Sequence, residues 1–146
     1  MKTGHCWSIS MALLACLAMT PASPVHAEST PTKVVYHIDD ARNGRFALHL
    51  AADHLAMDPG IRIAVVTYAA GVDFLLKGEL DRERRPYGPD VKTLMDKGVV
   101  FKVCSATLGF RNISPERVLD GVGFVPSGTF EIIRLQSQEN YVYLKP

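Results

Sequence analysis

The sequence predicts an α/β domain with a mainly parallel sheet between helical layers, and three observations carry that prediction. The strand-like segments are solid apolar runs, they take turns with segments of helical periodicity, and the alternation continues from residue 33 to the end of the chain. A strand apolar on both sides is expected to be covered on both sides, and alternating strands and helices are the pattern of parallel strands joined by crossovers.

Each element follows from its residues. Lys33-Val34-Val35-Tyr36-His37-Ile38 is a β-branched run stopped by Asp39-Asp40. Residues 46–57 place Leu48, Ala51, Ala52 and Leu55 at helical spacing and end at Asp58-Pro59-Gly60. Residues 61–68 form the second strand. Residues 91–97 read as the end of a helix, with Leu94 and Met95 inward and Gly98 as its stop. Val99-Val100-Phe101-Lys102-Val103-Cys104 is the third strand, and Ser114-Pro115-Glu116 opens a short helix that ends at Gly121, with Ser as the cap and Pro first. Phe124-Val125 is a brief fourth strand. Residues 129–138 form a helix with Phe130, Ile133 and Ile132 inward, and Tyr141-Val142-Tyr143-Leu144 closes the chain. Residues 71–89 are long for a connection, running from apolar Phe74-Leu75-Leu76 into a charged, turn-rich stretch, and can be a lid, a binding loop or a solvated excursion. In that stretch Arg82, Arg84 and Arg85 interleave with Asp81 and Glu83, so its local charge is nearly balanced.

The first 27 residues read as a secretory signal: Lys2 is the positive start, residues 9–19 are apolar, and Val25-His26-Ala27 offers cleavage after Ala27. The apolar run is short of the roughly 20 residues that span a bilayer. Residues 28–32 are then a flexible lead-in with Pro31, and residues 33–146 the domain. A lipoprotein alternative exists, because Leu13-Leu14-Ala15 precedes Cys16. The expected location is periplasmic or secreted, with anchoring at Cys16 as the alternative. Loss of the signal removes Lys2, leaving 15 basic against 15 acidic residues, a balance that gives no electrostatic footprint for nucleic acid or anionic lipid. It also removes Cys6 and Cys16. One cysteine, Cys104, remains in an oxidising compartment with no partner in its own chain.

Reactive groups of an open parallel sheet gather at the carboxyl ends of the strands, where loops converge and helix amino termini point inward. Those ends carry His37 with Asp39 and Asp40, Tyr68 with Gly71, Cys104 with Ser105 and Thr107, and Ser127 with Gly128. Cys104 is the one strong nucleophile, and a helical turn after it favours the thiolate. Ser105 or Thr107 can donate to that thiolate, and Lys102, two residues back on the same face, can add positive charge. Against this stands the bland expectation that a lone Cys closing an apolar strand is an inert small hydrophobe. His37 is a candidate proton shuttle beside Cys104, or a buried imidazole satisfied by a neighbouring carboxylate or carbonyl. His49 and His54 are five apart and share no face. Neither a metal site nor an organic cofactor is expected: no spacing matches a zinc site, and no glycine-rich loop matches a nucleotide fingerprint. Ser114 and Ser127 look like helix caps, and no nucleophile elbow is present.

Gly98-Val99-Val100-Phe101-Lys102-Val103-Cys104, followed by Thr107-Leu108, resembles the cysteine-bearing strand and loop of the DsrE/DsrF-like sulfur-relay proteins. Val34-Val35-Tyr36-His37-Ile38 is similar to their opening strand, Gly71-Val72 with Phe74-Leu75-Leu76 to the segment after the second strand, and Val125-Pro126-Ser127-Gly128 with the Tyr-rich terminus to the closing unit. The resemblance implies a three-layer α/β/α fold with five mainly parallel strands and a homo-oligomer, trimer or hexamer. It further implies that Cys104 carries sulfur as a persulfide or thiosulfonate, exchanged with donor and acceptor proteins or small sulfur compounds. Ala106 stands where many relatives show Asn. The function expected is that of an exported sulfur carrier, more a carrier than an enzyme; if an enzyme, it would be sulfurtransferase-like. The alternative is a non-catalytic oligomeric binding module in which Cys104 is structural.

Overall fold

Five apolar segments pair into one sheet: β1 (Lys33–Asp40), β2 (Arg62–Ala70), β3 (Val100–Cys104), β4 (Gly123–Val125) and β5 (Val142–Leu144). The computed structural model describes Met1 and residues 30–146; the signal and lipid-anchor expectations fall on residues outside that range. The strand order is β4-β3-β2-β1-β5 and every pairing is parallel. The chain walks outward from β1 to β4, then crosses back to place β5 on the other side of β1. The order therefore reverses between β1 and β5.

Four helices cover the sheet: α1 (Gly44–Met57), α2 (Gly88–Asp96), α3 (Ser105–Phe110) and α4 (Gly128–Glu139). One face holds the larger core, where Tyr36, Ile38, Val65, Phe101 and Val103 pack against Leu48 and Ala51 of α1, Val91 and Leu94 of α2, and Leu108 of α3. The other face is covered by α4, with Ile132 and Leu135 over Val35, Ala64 and Val66. Burial of each such aliphatic side chain contributes about 1.5–3 kcal/mol. Gly98 ends α2 as expected, taking a φ of +92° that other residues rarely adopt. No helix among the described residues is long and apolar enough to cross a membrane.

Three expectations are corrected. The segment after Ser114 is a single 3-10 turn, Pro115–Arg117, and not a helix running to Gly121. Its backbone is claimed elsewhere: Lys77 N–H donates to the Arg117 carbonyl at 2.7 Å, and Leu119 N–H to the Leu75 carbonyl at 2.9 Å. The Ser114 hydroxyl bonds Glu116 and caps nothing. In α4, Phe130 and Ile133 face outward at 63 % and 57 % exposure, while Ile132, Leu135 and Glu131 face in. The helix phase is set by Gly128, which lies against the sheet, and by Lys102, which draws Glu131 inward. Finally, residues 71–89 are a solvated excursion only in part, for residues 77–86 stay at the surface while the apolar residues flanking them do not. Val72, Phe74, Leu75, Leu76 and Tyr87 are buried in the larger core. The tip is knotted by Asp81, whose carboxylate accepts the Glu83 and Arg85 N–H groups and the side chains of Arg45 and Arg85.

Candidate functional site

Cys104 is the last residue of β3, in extended conformation immediately before α3, and is 5 % exposed. β4 returns beside it and delivers Pro126, Ser127 and the first turn of α4 to the same place, so two helix amino termini converge on one sulfur. Burial pushes the Cys104 thiol up. The nearby Thr107 hydroxyl and the backbone N–H groups of Gly128, Thr107 and Ala106 outweigh it, so the thiol titrates below its ordinary value, and the sulfur itself lies 4.0 Å from the Pro126 carbonyl oxygen. The nucleophilic form is thus favoured without a neighbouring cation.

Two backbone features make this geometry possible. A Cβ at Gly128 would lie 3.1 Å from the Thr67 carbonyl oxygen and Tyr68 Cβ, and 3.3 Å from Cys104 Cβ. A residue without a side chain lets the start of α4 come this close to Cys104 without displacing its neighbours. Ser127 caps that helix as expected, accepting from Phe130 N–H at 3.3 Å. At the end of β2, Ala69 takes the left-handed region at φ +49°, which is costly for a residue with a Cβ. It is held there from both sides: its N–H donates to Thr107 Oγ at 3.1 Å, and its carbonyl accepts from Arg111 at 3.2 Å. Thr107 Oγ thus ties the end of β2 to the turn that follows Cys104.

The other predicted site residues divide. Ser105 is exposed and takes no part in the sulfur's hydrogen bonds. Lys102 does share the face of Cys104, but it pairs with Glu131, which Arg134 also holds, and its charge is spent there. Glu131 is pulled down to about 2, first by its hydrogen bonds to Arg134, against the opposing effect of burial, and then by Lys102. His37 lies on the same face but two strands away and level with Lys102, roughly 12 Å from Cys104 at ordinary strand spacing and rise. Tyr68 stands between them. The β2–β3 register pairs Thr67 with Val103, so Tyr68 and Cys104 come next, and the Tyr68 ring stacks on His37 with centroids 4.8 Å apart. His37 Nδ1 bonds the Tyr143 hydroxyl at 2.6 Å. Burial lowers the His37 pKa, Asp39 raises it and Lys145 lowers it further, with a net downward shift. Away from the site, His49 lies 3.5 Å from Asp53, and His54 bonds the buried Tyr36 hydroxyl at 2.6 Å. No group of three or more metal-ligating side chains occurs among the described residues.

The parts not foreseen are backbone parts. The approach of Gly128 to Cys104 and the strained Ala69 depend on how loops meet, whereas Thr107 was already a candidate donor from its place after the strand.

The DsrE/DsrF-like family model matches residues 33–146. Among solved structures, the chain is similar to a protein of unknown function, MTH1491 from Methanobacterium thermoautotrophicum, with 32 % identity and a TM-score of 0.70 over 79 % of this chain and 99 % of that one. It also shares the fold of the ychN protein from E. coli, with 18 % identity and a TM-score of 0.64 over 80 % and 100 % of the two chains. No curated protein matches. With a five-stranded parallel sheet and a match from β1 to the last residue, the chain belongs to the DsrE/DsrF-like family, whose general association is with sulfur relay.

Proposed function

We propose that this protein is an exported sulfur carrier working through Cys104. The Cys104 thiolate attacks the sulfane sulfur of a donor persulfide, the donor's S–S bond breaks, the donor thiolate leaves, and Cys104 keeps the persulfide. A thiolate of the acceptor then attacks the outer sulfur and Cys104 leaves as thiolate. The exchange is redox-balanced and needs no metal or organic cofactor. The observation that carries this reading is the position of Cys104 at the carboxyl edge of the sheet, immediately before α3 and against Gly128 of α4, where its thiol titrates below the ordinary value. In the same proposal His37 relays protons from the far side of Tyr68, and residues 1–27 direct export to the periplasm or beyond, or lipid attachment at Cys16. Trimeric or hexameric assembly, as the family resemblance implies, belongs to this proposal too.

The test is intact mass before and after incubation with polysulfide or tetrathionate. Tetrathionate would leave Cys104 bearing an S-thiosulfate group and release thiosulfate. A gain reversed by reduction and absent from Cys104→Ser is expected; a gain that survives this substitution refutes the proposal. The 5 % exposure of Cys104 favours a second reading, a binding module in which the cysteine is structural. Thiol titration of the native protein separates the two, since a structural thiol reacts only after unfolding.

A further inference from the structure

A second cluster lies at the carboxyl ends of β1 and β5, where the strand order reverses and open α/β sheets leave a crevice. Asp39 Oδ2 accepts there from Nζ of Lys145, the penultimate residue, at 2.6 Å. The same oxygen lies 3.9 Å from His37 Nε2, a nitrogen that is buried and has no hydrogen-bond partner. The other ring nitrogen is engaged by Tyr143. The groups facing the imidazole are Asp39 from β1, Tyr68 from β2, and Tyr143 and Lys145 from β5; α4, over the same face, sets no charged group against it among the described residues.

We propose that His37 and Lys145 compete for the one Asp39 oxygen, so that protonation of His37 unlatches the carboxyl-terminal segment from the crevice at the end of β1. A neutral imidazole leaves that oxygen to Lys145. The imidazolium has two N–H donors: Nδ1–H goes to the Tyr143 oxygen, and Nε2–H turns to Asp39. One carboxylate does not compensate two cations in a half-buried site. The cation that leaves is Lys145, whose side chain is 46 % exposed and readily hydrated; that of His37 is 11 % exposed and has no such outlet. β5 is three residues long; it pairs with Val34, Val35 and Tyr36, Leu144 packs on the larger core and Tyr143 bonds His37, and the ion pair is what fastens the chain beyond Leu144. Burial and Lys145 hold His37 neutral against the pull of Asp39, which closes the latch at neutral pH and opens it in acid. This device stands whether or not Cys104 carries sulfur.

Amide exchange of Val142, Tyr143 and Leu144, corrected for the intrinsic pH dependence, tests it alongside the His37 titration followed by NMR in the same protein. Exchange is expected to accelerate about tenfold as His37 becomes charged. In Lys145→Met the His37 titration moves upward, and exchange is fast at both ends of the range. In His37→Gln the segment stays protected through the acid range. Unchanged protection of β5 across the wild-type titration overturns the proposal, as does a His37 titration identical in wild type and Lys145→Met.

Discussion

Replacing Thr107 by Val keeps the shape of the side chain and removes the one hydroxyl that joins β2 to the sulfur. That oxygen accepts from Ala69 N–H at 3.1 Å, and the same hydroxyl is one of the groups that hold the Cys104 thiol below its ordinary pKa. A hydrogen bond to a charged group contributes about 1.5–3 kcal/mol, and each 1.4 kcal/mol is about a factor of ten in an equilibrium constant. The thiolate population at neutral pH should therefore fall about ten- to a hundredfold. A more basic thiolate is also a better nucleophile, with a Brønsted slope of about 0.4–0.5, which offsets close to half of that loss on a logarithmic scale. Thiol labelling by a neutral disulfide at neutral pH should slow by about three- to tenfold, and the thiolate absorbance should titrate at higher pH. Ala69 is exposed, so water replaces its lost acceptor and stability should fall by only about 1 kcal/mol. Thr107→Ser keeps the hydroxyl and should behave as wild type. If Thr107→Val titrates and labels as wild type does, the hydroxyl is not oriented toward the sulfur and the account of the low thiol pKa is wrong.

Other perturbations test other parts. Gly128→Ala places a Cβ within 3.3 Å of three neighbours. Calorimetry should show a loss of about 1–3 kcal/mol from overpacking, and the thiol titration should move upward as α4 lifts from the sulfur. Glu131, pulled from 4.5 to about 2, stabilises the fold above pH 4.5, and this contribution is lost as pH falls toward 2. After allowance for solvent screening it amounts to about 1–2 kcal/mol, and acid unfolding of Glu131→Gln should lack that part of the pH dependence. Asp81→Ala unties the tip of residues 71–89, and limited proteolysis should cut there while leaving the sheet intact.

The strands were legible because parallel strands buried on both faces advertise themselves as unbroken apolar runs, as Val34-Val35-Tyr36 and Val99-Val100-Phe101 do. The face of α4 was not legible. Phe130 and Ile133 are more apolar than Glu131, yet Glu131 turns inward because Lys102 waits beneath it on β3, a partner separated by 29 residues. The failed helix after Ser114 has the same kind of cause, since cap and proline were present but Leu75 and Lys77 took its backbone groups. Cys104 could be placed at the edge of the sheet from its strand alone. Thr107 was legible as a donor too, but the main-chain groups of Ala106, Thr107 and Gly128 come from the first turns of two helices, about which side-chain identity says little.

The unequal division of the two cores bears on how a nearly closed thiol meets its reagents. α4 is fastened to the sheet mainly through Ile132 and Leu135, while the opposite face is secured by a core drawn from three helices and the 71–76 segment. Local opening equilibria follow such differences, and the most weakly fastened unit opens at a free energy well below that of global unfolding. Here that unit is also the roof of Cys104. Parting α4 from the sheet would uncover Cys104 but also withdraw Gly128 from it, so access to the thiol and its activation are set against each other. Strengthening the small core would make the thiol slower without touching its chemistry.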